Sequence, residues 1–261
     1  MRLQNKTIIV TGGGSGMGES MCYAFSGEGA AVVVVDKNKK KAELVAETIC
    51  CSGGKAISAI ADVTSVNELQ KMVDKTIDNF GKVNVLVNNA GSRIIKSFLG
   101  HSKEDWKTML EINLSGPFYC SQVVVPKIEE SGGGSIINVC SIASYMGRPN
   151  RCAYVAAKSG LLGLTRSMAI DLASKNIRVN GISPGMIASP FNQKFADGVV
   201  TGDAWKKDNL ANRWGKPDDI NGAAIFLASD ESSFITGSDI KVEGGWLSAR
   251  SRVGEDSIIE G

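Results

Sequence analysis

The chain has 261 residues, 43% of them hydrophobic, a content ordinary for a packed soluble globule. Its 29 Lys and Arg nearly cancel its 27 Asp and Glu, and a net charge of +2 gives no overall field that would gather nucleic acid or a membrane surface. These numbers exclude a polybasic binding module and point to a small-molecule partner.

Short β-branched runs at residues 7–11, 31–36, 55–62, 83–88, 135–141, 177–183 and 240–243 predict seven strands. Several hold consecutive apolar residues rather than a strict alternation, as expected of strands covered on both faces. Between them, helical spacing marks residues 17–26, 39–50, 66–80, 103–114, 153–173 and 217–228. No repeat, Pro-rich linker or composition break interrupts this β-α alternation. It predicts one α/β domain over residues 1–261, a doubly wound parallel sheet of seven strands with helices on both faces. Two segments do not fit a tight βα unit: residues 186–212, read as a substrate lid, and a charged tail at 246–261.

The longest apolar runs are far shorter than the roughly 18–20 residues that span a bilayer. The N-terminal residues Met1-Arg2-Leu3-Gln4-Asn5-Lys6 lack the pattern of a secretory signal, so a cytoplasmic protein is expected. Six cysteines without a C-x-x-C and a single histidine, His101, argue against a structural metal. His101 is expected to cap the helix that begins near Ser102.

The stretch Thr11-Gly12-Gly13-Gly14-Ser15-Gly16-Met17-Gly18 follows the first strand and opens the first helix. In that context, backbone N–H groups at a helix N-terminus face an anion with no Cβ in the way, which suits a dinucleotide pyrophosphate. Asp36, at the end of the second strand, lies where a carboxylate reaches an adenosine ribose; it accepts from a free 2′-hydroxyl and repels a 2′-phosphate, favouring NAD over NADP. Lys37, Lys39, Lys40 and Lys41 stand against this as possible phosphate ligands, although a solvated helix start explains them too.

Tyr154 and Lys158 are four apart in a helical segment and share a face. A tyrosine needs its pKa lowered from about 10 by two to three units, roughly 3–4 kcal/mol, to act as a base near neutrality. An ammonium about 4 Å away at an effective dielectric of about 20 supplies close to 4 kcal/mol. Ser141 closes the fifth apolar run, on the side of the sheet where ligands bind.

Together these motifs resemble the short-chain dehydrogenase/reductase family. The match comprises Thr11-Gly12-x-x-x-Gly16-x-Gly18, Asn88-Asn89-Ala90-Gly91, Asn113, Ser141, Tyr154-x-x-x-Lys158 and Pro184-Gly185, in the family's order over nearly the whole chain. The resemblance implies a single-domain Rossmann fold and NAD-linked exchange between a secondary alcohol and a ketone. Tyr154 would be the general acid/base, Lys158 would lower its pKa and bind the nicotinamide ribose, Ser141 would polarise the substrate oxygen, and Asn113 would support a relay water. Gly12, Gly16 and Gly18, with Ser15 and Met17 between them, would admit the diphosphate. Asp62 and Val63 would flank the adenine, Asn89 with Ala90 and Gly91 would meet the ribose region, and Pro184-Gly185 would adjoin the carboxamide. Family members often place a threonine after that pair; here stand Ile187 and Ser189. A homo-oligomer, tetramer or dimer, is implied as well.

Substrate is expected from the loops. Arg93, Arg148 and Arg151 lie near the motifs, where guanidinium forks suit carboxylate, sulfonate or phosphate, although surface or subunit-contact arginines explain them equally. Phe191, Phe195 and Trp205 could close the lid. The leading reading is an NAD-dependent enzyme on a small polar molecule such as a sugar, sugar acid, polyol, hydroxy acid or sulfonated sugar. An NADPH-dependent 3-oxoacyl carrier-protein reductase and a silent nucleotide-binding regulator are the alternatives.

Overall fold

The computed structural model describes residues 1–192 and 209–248. Among these residues seven parallel strands form one sheet in the order β3-β2-β1-β4-β5-β6-β7. The strands are β1 (Thr7–Thr11), β2 (Ala31–Asp36), β3 (Lys55–Ile60), β4 (Val85–Asn88), β5 (Gly134–Val139), β6 (Ile177–Pro184) and β7 (Asp239–Val242). The helices are α1 (Gly16–Gly27), α2 (Lys39–Cys51), α3 (Val66–Phe80), α4 (Lys103–Leu110), α5 (Gly116–Glu130), α6 (Cys152–Asp171) and α7 (Asn221–Ala228).

Neighbouring residues of one strand point to opposite faces, and here both faces are buried. Ile8, Val10, Val32, Val34, Val85 and Val87 meet Met21 and Phe25 of α1, Val45 and Ile49 of α2, and Leu227 of α7. Ile9, Val33, Val35, Leu86, Ile136 and Val179 meet Leu69 and Met72 of α3, Val124 and Ile128 of α5, and Met168 of α6. This is why the strands read as unbroken apolar runs. Order reverses between β1 and β4, which pair side by side in the register Ile8 to Val85. The loops leaving their carboxyl ends therefore diverge and leave a crevice.

Several expectations need correction. Helix α5 has no counterpart in the sequence reading, because Pro117, Pro126 and the β-branched residues Val123, Val124 and Val125 mask its periodicity. The helix expected over 103–114 ends at Leu110 and passes into a π-helical turn, Glu111–Ser115, that leads straight into α5. A 3-10 turn, Pro217–Ile220, begins the segment expected as one helix to residue 228. Ser102, not His101, caps α4: its Oγ accepts from Asp105 N (3.0 Å) while Asp105 accepts from Ser102 N (2.9 Å). The His101 ring lies instead against the Ser97 carbonyl, 3.0 Å from Nδ1. Phe195, Trp205 and the tail beyond residue 248 lie outside the described residues. Among the described residues, no helix is long and apolar enough to cross a membrane.

The glycines of the first loop serve different ends. Gly12 and Gly16 have φ of +63° and +59°, a region that side chains disfavour. Gly18 is helical, and a methyl there would run into the Gly12 carbonyl and the Asn89 amide. Neither atom is the free end of a flexible chain, so Gly18→Ala should destabilise by about 3 kcal/mol, the upper end of ordinary overpacking. Gly27, with open space at its Cβ position, is the comparison: Gly27→Ala should be neutral or stabilising by about 0.5–1 kcal/mol. Urea midpoints of the two variants check this; equal midpoints would refute the packing account.

Candidate active site

Thr11 ties the two diverging loops together. Its Oγ1 donates to the Val87 carbonyl (3.2 Å) and accepts from Asn89 N (3.0 Å) and Ala90 N (3.1 Å). The Asn89 side-chain amide then donates to the carbonyls of Thr11 (2.9 Å) and Gly12 (3.1 Å), so it braces the glycine loop. The resulting crevice is a cavity of about 380 Å³. Gly12, Ser15, Gly16 and Met17 line it, together with Asp36, Asp62 and Val63. Asn89, Ala90, Gly91, Asn113, Tyr154, Lys158 and Ser189 line it as well, with Asn89 and Ala90 packed beside Gly12 and Ser189 beside Gly16.

Ser15 is the N-cap of α1 and makes no side-chain cap, leaving first-turn N–H groups directed at the cavity. Asp36 is anchored at both oxygens, accepting from Gly14 N (3.1 Å) and Asn38 N (2.9 Å). A Cβ on Gly14 would meet this carboxylate, so that glycine makes room for Asp36 rather than for a ligand. Asp62 accepts from Thr64 N (2.9 Å) and Oγ1 (2.8 Å), and the Thr64 amide leads in holding its carboxyl below the usual range. An orphaned helix N-terminus, a left-handed glycine beside it and a fixed carboxylate lining the same cavity together fit an extended dinucleotide.

Asn113 is fully buried on the π-helical turn. Its Nδ2 donates to the Ser92 and Met109 carbonyls, both at 3.0 Å, and its Oδ1 accepts from Ser92 N at 3.2 Å. Gly91 passes beside it: a Cβ there would stand 3.0 Å from Asn113 Oδ1 and 3.8 Å from Lys158 Nζ. Lys158 is buried and donates to the Val139 carbonyl at 2.7 Å, and burial pushes its ammonium down to about 8. Ser141 lies two residues past the end of β5, where its Oγ accepts from Ala143 N at 3.1 Å, close enough to the Tyr154 phenol to oppose the upward push on it.

Burial pushes the Tyr154 phenol above its ordinary value, opposed by the Ser141 hydroxyl and by the charges of Arg93 and Arg151. Lys158, expected from its spacing to do this, has its ammonium on the Val139 carbonyl. Arg148 is placed apart from the other two arginines, with Cζ 5.3 Å over the Trp246 ring and Nη2 4.0 Å from Met186 Sδ. Trp246 and Met186 line a second cavity of about 200 Å³, together with Ile187, while Gly185 N is taken up by the Val242 carbonyl at 2.9 Å. Pro184 closes β6 against Val242.

The sequence reading left Lys37 outside the binding set, and missed Ser92, Ile112, Val139 and Cys140, all of which line the main cavity. Ser92, Ile112 and Cys140 each adjoin an identified residue, which is the signal available for finding them, and Val139 supplies the carbonyl that holds Lys158. Among the described residues, no three His, Cys, Asp or Glu side chains converge as a metal site would require.

A model of the family described as enoyl-(acyl carrier protein) reductase matches residues 12–247. The chain belongs to the short-chain dehydrogenase/reductase family. Within that family it is 36% identical, over 94% of this chain and 99% of the relative, to a 3-oxoacyl-[acyl-carrier-protein] reductase of Thermotoga maritima. Among solved structures, a gluconate 5-dehydrogenase from Burkholderia cenocepacia in complex with NADP and tartrate superposes with a TM-score of 0.91, at 34% identity over 95% of this chain and 97% of the other. A 7α-hydroxysteroid dehydrogenase complexed with NADH and 7-oxo glycochenodeoxycholic acid gives 0.90, at 37% identity over 94% and 95%. As a short-chain dehydrogenase/reductase, the protein is an oxidoreductase acting on CH–OH groups, and its fold binds a nicotinamide dinucleotide.

Proposed function

We propose that the protein is an NAD-preferring dehydrogenase that interconverts a secondary alcohol and a ketone on a small polar substrate. The observation that carries the cofactor choice is Asp36, whose two oxygens are each held by a backbone N–H at the edge of the cavity. A carboxylate so fixed keeps lone pairs for the two hydroxyls of a ribose and cannot swing away from a 2′-phosphate. Lys37 lines the same cavity and supports the opposing choice, and relatives are known with each dinucleotide.

The bound dinucleotide supplies the group that accepts or returns the substrate's hydrogen with its electron pair. Ser141 Oγ holds the substrate oxygen, and the Tyr154 phenol carries the proton to or from it. Lys158 binds the adjoining ribose and adds positive charge near the phenol, while Asn113, held at three bonds to backbone, fixes the floor beside Gly91 and Lys158 and supports a relay water. Gly12, Ser15, Gly16, Met17 and the N-terminus of α1 take the diphosphate. Asp62 and Val63 flank the base, Asn89, Ala90 and Gly91 form the wall by the ribose, and Pro184, Gly185, Ile187 and Ser189 lie toward the carboxamide.

We also assign a cytoplasmic location and a homo-oligomer, the latter supported by the apolar side chains that α4, α6 and the approach to β7 leave exposed: Trp106, Ile170 and Phe234.

Initial rates across neutral and anionic secondary alcohols, with NAD and NADP in parallel, test this reading. We expect NAD to be favoured at least about tenfold in kcat/KM, a difference near 1.4 kcal/mol, and Asp36→Ser to erase most of that preference. Reaction only with NADPH and 3-oxoacyl thioesters would install the carrier-protein reductase in its place.

A further inference from the structure

Ser141 opens a short 3-10 turn, Ile142–Ser144, that closes on itself: Ser144 N donates to the Ser141 carbonyl (2.8 Å) and Tyr145 N to that of Ile142 (3.1 Å). Ser141 Oγ is tied within the same turn, to Ala143 N at 3.1 Å, so the hydroxyl goes where the turn goes. Two side chains at the end of the turn fasten it to other elements. Ser144 Oγ donates to the Lys158 carbonyl at 2.8 Å, which joins the turn to α6. Tyr145 reaches β7, where its phenol donates to Asp239 Oδ2 at 2.8 Å and the Lys241 ammonium stands 4.6 Å from the centre of its ring. Burial first, and then the Asp239 carboxylate, push that phenol up, so it stays a donor.

The sheet makes room for this second fastening. Asp239 pairs with Gly181 of β6, and a Cβ on Gly181 would run into Asp239 Oδ1. That oxygen is buried and takes no hydrogen bond among the described residues, so the bond from Tyr145 is what orients the carboxylate. Tyr145 is 41% exposed, and where water competes for both partners a hydrogen bond adds little net stability. What it fixes is position. We propose that Tyr145 and Asp239 are a positioning pair, clamping the turn to β7 so that the Ser141 hydroxyl stays where the substrate oxygen must be met. This rests on Ser141 holding that oxygen and adds the residues that hold Ser141. A reacting group displaced by about 1 Å loses up to about 10²-fold in rate, so a clamp remote from the substrate has leverage on turnover.

The test is a double-mutant cycle, read as kcat and KM for cyclohexanol and 3-hydroxybutanoate with NAD and NADP in parallel, and as dinucleotide affinity by fluorescence. Tyr145→Phe removes the donor and keeps the ring beside Lys241. It should lower kcat about tenfold, with KM and dinucleotide affinity within about twofold of the parent. Asp239→Ala should match it, and Asp239→Asn, which keeps an accepting oxygen, should recover most of the loss. Ser141→Ala should by itself be about 10²-fold slower, and adding Tyr145→Phe to it should cost less than about twofold, because nothing is left to position. A Tyr145→Phe protein as fast as the parent overturns the proposal. So does a tenfold cost that persists in the Ser141→Ala background, which would mark a general loosening of the fold. Both results leave the role of Ser141 standing, whereas a Ser141→Ala protein as fast as the parent overturns both readings. Independently of turnover, amide hydrogen exchange at positions 144 and 145 should quicken about tenfold in Tyr145→Phe. Unchanged exchange there overturns the clamp even if neither alcohol reacts.

Discussion

A Tyr154→Phe enzyme should turn over about 10²- to 10⁴-fold more slowly than the parent and bind its dinucleotide with unchanged affinity. The substitution removes one oxygen and leaves the ring, which packs against Phe191 at 6.4 Å and keeps that segment in place. What goes is the group that exchanges a proton with the substrate oxygen, beside Ser141. Because the glycine loop and Asp36 hold the dinucleotide through groups the substitution does not touch, its binding is insulated from the change. Stopped-flow and steady-state rates, paired with fluorescence titration of the cofactor, measure both quantities. Turnover within about tenfold of the parent would mean that another group moves the proton.

Lys158→Met should do the opposite to stability and activity. The Lys158 ammonium is buried with one carbonyl, that of Val139, at 2.7 Å, and burial brings it down to about 8 from an ordinary value near 10.5. A folded-state value below the unfolded one means that folding opposes protonation. The cost is therefore complete below about pH 8, declines as pH rises from 8 toward 10.5, and vanishes above both. At roughly 1.4 kcal/mol per unit the cost at neutrality is on the order of 3 kcal/mol, and an apolar chain of similar length removes it. Lys158→Met should accordingly melt several degrees higher than the parent at pH 7, with the excess shrinking by pH 10, while catalysis collapses. Urea midpoints at the two pH values decide the matter. A variant less stable than the parent at pH 7 would show that the ammonium is a net support of the fold.

Much of this was legible in the sequence, for reasons that differ by element. Strands β1 and β2 were read to the residue because every interior position is apolar, as a strand buried on both faces requires. The left-handed glycines, Gly12 and Gly16, were legible as a loop. Gly14 and Gly18 were credited to a ligand's needs or left unexplained, whereas they make room for Asp36 and for the chain's own backbone. Helix α5 escaped because two prolines and three consecutive valines outweigh its local signal, and its burial against β4 and β5 is a tertiary fact. The pairing of Tyr154 with Lys158 followed from helical spacing, but spacing does not orient an ammonium. Nor does spacing put Arg93 on Phe191 and Arg148 on Trp246, since that depends on where those rings come to rest.

The π-helical turn at Glu111–Ser115 sets a limit on how this chain can vary in length. Such a turn accommodates one residue more than an α turn, and the surplus is what directs Asn113 inward between Ser92 and Met109. Deleting any one residue there would restore a regular helix from α4 through α5 and gain local regularity. It would also rotate α4 against α5 by about 100° and carry the amide away from Gly91. The most uniform version of this helix is thus a frameshifted one, and the irregular count of residues is what keeps the cavity floor in phase.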